Sequence, residues 1–220
     1  MTSAVPPVLP LGESAWTIVL GDRVDRELHQ RVLALARSIE AAGLPGVSEL
    51  VPAYATLTVF CESAARAEEV RAGLLPVLGK MGPDAELRAP GSDVPLITIP
   101  VRYDGPDLDE VAERTGLTRD EVIRRHSGRE YEVFLLGFAP GWAYLGELDP
   151  ALQLPRRDAP RIRVPAGSVA IAGAQTGVYP IATPGGWHLL GTTTVAMFDR
   201  ERNPPSLLRP GDRVRFEAIR

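Results

Sequence analysis

Few side chains in this 220-residue chain can do chemistry: three histidines, one cysteine, one lysine and a run of arginines. His29, His126 and His188 stand singly, with no H-x-H or H-x3-H pair, and Cys61 is remote from all three. Zinc is held by clustered ligands at short spacings, so no protein metal site is expected. His29 and His126 read as helix-surface residues. His188 sits beside Trp187 in PGGWHLLG, where it reads either as a catalytic imidazole or as a hydrogen-bonded barrel residue. Arg156, Arg157, Arg161 and Arg163 are offset locally only by Asp158. Such a cluster either meets a phosphate or carboxylate or forms a solvated basic loop. Ser168 and Cys61 are the conceivable nucleophiles, but GSV lacks the second glycine of a nucleophile elbow and Cys61 ends an apolar run. Lys80, the single lysine, lies in GLLPVLGKM, with five residues between the glycines where a P-loop has four. No GxGxxG is present either.

The arginines lead into an unusual stretch. From Val164 to Phe198 there is no Asp, Glu, Lys or Arg. Glycines let backbone N–H groups approach a ligand there, and short polar side chains orient it without charge. Gln175, Thr176, Tyr179, Trp187 and His188 are its polar or amphipathic members. Upstream, the uncharged loop GFAPGWAYLG contains Phe138, Pro140, Gly141, Trp142 and Tyr144, the composition of an interface or a ligand lid.

The elements that must position these residues divide into two kinds. The first half alternates strands and helices. AWTIVL is extended; Leu28, Val32, Leu35 and Ile39 then mark one helical face, stopped by Gly43 and Pro45. VSELV and ATLTVF are extended. Ser63 reads as the N-cap of a second helix with Val70, Leu74 and Leu78 inward, which Pro76 ends or bends. A strand at LITIPV would complete β-α-β-β-α-β, the ferredoxin-like arrangement. A helical hairpin follows at about 107–126, joined at TGL, in outline either a DNA-binding helix-turn-helix or a pair packed on a neighbouring sheet. Beyond it, residues 137–191 hold 9 glycines and 7 prolines, and short β-rich pieces alternate with turn signals, the signature of a β-barrel or sandwich. The expected class is α+β, with a ferredoxin-like domain over residues 1–94 and a β-barrel domain over 95–220.

Composition excludes several classes. Apolar residues make up 45% and charged residues 24%, which suits a folded globular chain. A net charge of −4 argues against nucleic-acid binding. The single cysteine forbids an internal disulfide, the first residues lack a signal-peptide pattern, and no apolar run is long enough for a membrane span. A cytoplasmic location is expected.

Three segments carry a family resemblance: GFAPGWAYLGELDP, PRIRVPAGSVAIAGAQTGVYPIATPGGWHLLGTT and RPGDRVRF. The chain resembles the family of 5-oxoprolinase B subunits, also called allophanate hydrolase subunit 1 and the sporulation histidine-kinase inhibitor. The likeness extends to LPGVSELVPAYATLTVF and TGLTRDEVIRRHSGREYEVFLLGF, so it spans nearly the whole chain. It implies that the barrel is cyclophilin-like. It implies a C-type partner protein in a heterodimer or heterotetramer, an A-type hydrolase, and ATP-dependent opening of 5-oxo-L-proline to L-glutamate, with ATP as the magnesium complex. In that scheme Arg156, Arg161, Arg163 and backbone N–H groups near Gly173 meet phosphates. Gln175, Thr176 and His188 contact the lactam, with Gln175 and His188 catalytic and Tyr179 and Trp187 lining the site. The family also holds histidine-kinase regulators and relatives of urea and allophanate metabolism, which are the alternative readings. This chain departs from the family pattern at Ala139 and Trp142, and at Thr192, where an arginine is usual.

Overall fold

A computed structural model describes residues 5–80, 94 and 96–220. The chain forms two compact units, Met1–Asp93 and Val94–Arg220.

The first unit begins with strands β1 (Val8–Pro10) and β2 (Ala15–Val19), then helix α1 (Arg26–Ala42), strands β3 (Val47–Pro52) and β4 (Thr56–Cys61), and helix α2 (Ala67–Lys80). The Asp25 carboxylate caps α1 by accepting from the Leu28 N–H, and Gly43, at φ +56°, ends it in the left-handed conformation. The sheet is antiparallel in the order β1-β2-β4-β3. Trp16, Ile18, Leu57 and Val59 on one sheet face meet Val32, Leu35 and Ile39 of α1 and Val70, Leu74 and Leu78 of α2. The periodicity therefore found the inward faces of both helices.

Three local expectations are corrected. Ser63 precedes a 3-10 turn at Ala64–Arg66 and its side chain makes no capping bond. Pro76 does not end α2, which continues through it to Lys80. The strand at Leu96 does not close this sheet. The edge beside β2 is taken by β1, which is four residues away in the chain and so costs little closure entropy.

The Leu96 strand, β5 (Leu96–Arg102), belongs to the second unit. There it runs parallel to β13 (Arg213–Ile219) in unbroken register from Leu96 opposite Arg213 to Arg102 opposite Ile219. Between them come α3 (Leu108–Thr115), α4 (Arg119–Ser127), β6 (Glu130–Leu136), β7 (Ala143–Gly146), β8 (Arg161–Val164), β9 (Ser168–Ala172), β10 (Gln175–Val178), β11 (Thr183–Gly185) and β12 (His188–Thr192). Seven strands close a barrel in the order β10-β7-β6-β13-β5-β12-β9, and β9 pairs with β10 through a tight hairpin in which Gly173 has φ +55°. Strands β8 and β11 form a separate pair.

Alternation along the strands sorts their side chains between two apolar clusters. Val169, Ile171, Val178, Leu190, Val214 and Phe216 fill the larger one. Ala170, Ala172, Tyr179, Trp187 and Leu189 join Trp142 and Val164 in the smaller one, on the opposite strand faces. The helical hairpin is a packing element: Leu108, Val111, Ala112 and Val122 enter the larger cluster. Gly116 turns between the helices at φ +68°, and Thr118 with Glu121 forms a reciprocal capping box on α4.

Candidate functional site

The four arginines that cluster in sequence go to different places. Arg157 and Arg161 turn inward onto Asp107, whose side chain is 3% exposed. Asp107 Oδ1 accepts from Arg157 at 3.0 Å and from Arg161 at 2.6 Å, and Oδ2 accepts from the Leu189 backbone N–H at 2.7 Å. Although Asp107 stands at the start of α3, its carboxylate makes no helix cap; these longer-range donors use it instead. Arg157 also pairs with Glu110, and that contact foremost holds the Glu110 carboxyl below its ordinary value. Arg163 is exposed, and Arg156, also exposed, lines a cavity. Arg157 and Arg161 meet a carboxylate, as one sequence reading allowed, but it is the chain's own: they are the counter-charges of buried Asp107.

His188 lies beside this network and is fully buried. Its Nε2 is 2.9 Å from the Pro155 carbonyl, so that nitrogen carries the proton and donates. Nδ1 is left as a buried atom without a hydrogen-bond partner, 3.9 Å from Glu110 Oε1. His126, expected on a helix surface, is fully buried in the barrel core. Its Nδ1 is 2.7 Å from the Tyr103 hydroxyl and its Nε2 2.8 Å from Thr176 Oγ1, while Thr176 donates to the Ala170 carbonyl at 3.0 Å. Because the Thr176 proton is committed to Ala170, its oxygen accepts from Nε2–H, and Nδ1 accepts from Tyr103. Phe216 stacks on the imidazole at 4.6 Å, and burial pushes the His126 pKa down to about 3, so the ring is neutral. His29 is buried as well, with Nδ1 3.2 Å from the Ala53 carbonyl.

Thr176 is thus a core residue of this relay, while Gln175, its neighbour on β10, is half-buried. The Gly173 N–H already donates to the Leu154 carbonyl at 2.7 Å. Thr192, at the position of the usual family arginine, is exposed and donates to Asp104 Oδ1 at 3.0 Å.

The remaining sequence candidates meet in one place. Phe138, Trp142, Tyr144, Arg156, Tyr179 and Trp187, with Pro184, Gly185 and Gly186, line a cavity of about 160 Å³. Trp142 is its centre: Tyr179 lies 4.7 Å from it, Trp187 5.0 Å, and Phe138 and Tyr144 5.7 Å each, all near edge-to-face. Burial raises the Tyr179 phenol above its ordinary value, so it stays a neutral hydroxyl at physiological pH. The loop from Gly137 to Trp142 is pinned by main-chain bonds from Trp142 N to Ala139 O at 2.9 Å and from Gly137 N to Trp142 O at 3.2 Å. Gly141 turns at φ +81°, where a Cβ would meet Phe198 at 2.6 Å. Pro140 is exposed beside it. Phe138 has φ +70°, alone among the described non-glycine residues in being positive, and the residue is 64% exposed at the cavity.

Sequence reasoning missed Asp107, Glu110 and Tyr103, whose partners lie tens of residues away. A signal did exist for His126, which follows the buried Val122 by four residues on α4. The same holds for His29, three residues before Val32 on α1. Among the described residues no group of three or more His, Cys, Asp or Glu is placed to hold a metal ion, and no helix is long and apolar enough to cross a membrane.

The barrel unit is thus preceded in the chain by a four-stranded sheet with two helices on one face. Residues 6–208 match the carboxyltransferase domain, subdomain C and D, and the chain belongs to that family. More particularly, it is 43% identical over 218 residues to the B subunit of 5-oxoprolinase from Bacillus subtilis, covering 95% of this chain and 91% of that protein. The crystal structure of TTHA0988 aligns with 94% of the chain at 44% identity and a TM-score of 0.81; this chain spans 40% of that one's length. Urea carboxylase of Kluyveromyces lactis, 18% identical, shares the fold over 97% of this chain and 22% of its own, with a TM-score of 0.73.

Proposed function

We propose that this chain is the B subunit of an ATP-dependent 5-oxoprolinase, acting with a C-type partner and an A-type hydrolase to open 5-oxo-L-proline to L-glutamate. The observation that carries this reading is the near end-to-end match, at 43% identity, to a protein named as the B subunit of 5-oxoprolinase. A five-membered lactam is an unactivated amide with a poor leaving group. When bound, ATP would supply the activation: transfer of its γ-phosphoryl group to the amide oxygen releases ADP, and water attacking the ring carbon then expels phosphate and frees the ring nitrogen as the amine of glutamate.

This chain's own residues fit one part of that task better than the other. A polyphosphate needs several converging donors. Here Arg157 and Arg161 are neutralised by Asp107 and Glu110, and the Gly173 N–H is already bonded. Among the described residues of the sequence-predicted phosphate site, that leaves Arg156 and Arg163, so the magnesium nucleotide is held chiefly by the partner proteins. Exposed apolar side chains on the barrel unit, Ile162 at 91% and Ile181 at 42%, give a partner apolar surface to cover.

The test is ADP release on adding 5-oxoproline, first with the chain and its C-type partner, then with the A-type hydrolase added. Substrate-dependent turnover in the full complex supports the reading. A stable complex with no turnover overturns it.

A further inference from the structure

The cavity around Trp142 has a distinct chemistry. Five aromatic side chains and one cation line it, and no acidic side chain does. An aromatic cage for an ammonium ligand would not place a guanidinium at its wall. Arg156 instead suits a single carboxylate, which its planar fork can hold through two hydrogen bonds. The volume is equally selective. Pockets for drug-sized ligands run to about 300–1,000 Å³, whereas a cavity of about 150 Å³ takes one benzene-sized ring. At about 160 Å³ the cavity is of the size that takes one small ring.

Two further details show that the site is built. Gly185 is required in the wall, because a Cβ there would fall 2.1 Å from the Tyr179 hydroxyl. Arg156 is delivered by its neighbour: Arg157 is anchored through its side chain to Asp107 and through its N–H to the Gly186 carbonyl at 2.8 Å. That double anchor fixes the main chain from which Arg156 reaches the cavity. Phe138 occupies the left-handed region that disfavours bulky residues, and the hydrogen-bonded loop holds it there at the cavity rim, exposed on one side and edge-to-face with Trp142 on the other. A strained, exposed aromatic at the rim of an aromatic cavity gains contacts when the cavity fills.

We propose that this cavity is the subsite for a small ring acid, 5-oxoproline itself, with its carboxylate on Arg156, its ring among the aromatic walls and Phe138 closing over it. This rests on the proposed function for the identity of the ring acid. What goes beyond that reading is Arg156 as the carboxylate partner in place of a phosphate contact, which separates the lactam subsite on this chain from the nucleotide.

The experiment compares 5-oxoproline with 2-pyrrolidinone, the same lactam without its carboxylate, as substrates of the full complex. In the wild type, kcat/KM favours 5-oxoproline. In Arg156→Gln that preference collapses by about tenfold or more, through a higher KM for 5-oxoproline with little change for 2-pyrrolidinone. A merely structural role would lower both substrates alike, and that outcome, or an unchanged ratio, overturns the assignment. Phe138→Ala raises KM for both, because the ring packs on the shared lactam. An unchanged KM there removes Phe138 from the site. If the wild-type complex turns over neither lactam, the proposed function fails and the subsite is judged by binding to the full chain. Tryptophan fluorescence then reports on Trp142 and Trp187: saturable quenching by 5-oxoproline that is lost in Arg156→Gln sustains the subsite, and no quenching overturns it.

Discussion

Replacing Asp107 with asparagine keeps the size and one acceptor oxygen but removes the negative charge that, among the described residues, is paired with both Arg157 and Arg161. The carboxylate is 3% exposed, and each arginine side chain is 27% exposed. Breaking a buried ion pair from one side costs about 3–5 kcal/mol, because the opposite charge stays behind uncompensated. Two features place Asp107→Asn at the lower end. The arginines retain some water, and asparagine can still accept from the Leu189 N–H, so the expected loss is about 3 kcal/mol. For a unit the size of Val94–Arg220, each kcal/mol moves the melting temperature by about 4 °C, giving a drop of roughly 12 °C. Differential scanning calorimetry of the barrel transition measures it directly. Adding Arg161→Met to the Asp107→Asn chain removes one stranded charge and should recover part of the loss, a coupling that a double-mutant cycle isolates. A drop below about 4 °C, or a double variant whose losses simply add, would refute the account of Asp107 as the electrostatic centre that fixes this segment.

Three other outcomes follow from the geometry. His126 is neutral in the folded state, its pKa lowered by burial to about 3 from an ordinary 6.5, so the unfolded chain binds the extra proton between those values. Its contribution is complete above pH 6.5 and is lost as pH falls, by about 2 kcal/mol at pH 5; denaturation of His126→Gln should show a shallower acid slope than the wild type. Thr176→Val leaves the His126 Nε2–H without an acceptor in the core and should cost about 1–3 kcal/mol, read as a lower urea midpoint at unchanged m. Gly185→Ala drives a methyl into the Tyr179 hydroxyl and should destabilise by about 1–3 kcal/mol and raise KM for 5-oxoproline. Gly186→Ala, whose nearest neighbour is 3.6 Å away, should hold its melting temperature within about 2 °C.

Much of the architecture is local and is written along the chain. The inward face of α1, the inward residues of α2 and the capping box of α4 follow from spacing and residue type within one or two turns. The dense glycines and prolines after residue 137 announce short strands and tight turns, since these residues act on their own backbone. The aromatic loop from Gly137 and Trp187 could be picked out because an uncharged, aromatic-rich stretch needs a reason to exist. Other features were settled by partners far off in the chain. The sequence around Leu96 reads as a strand in any context, and only its seven-residue ladder with β13 decides that it belongs to the barrel. Arg156 and Arg157 are adjacent and alike in sequence, yet one reaches a cavity and the other a carboxylate 50 positions earlier. His126 and Thr176 are likewise 50 positions apart and joined in the core. Periodicity and propensity act over a few residues, whereas a buried charge or imidazole is defined by whatever the closed barrel brings against it.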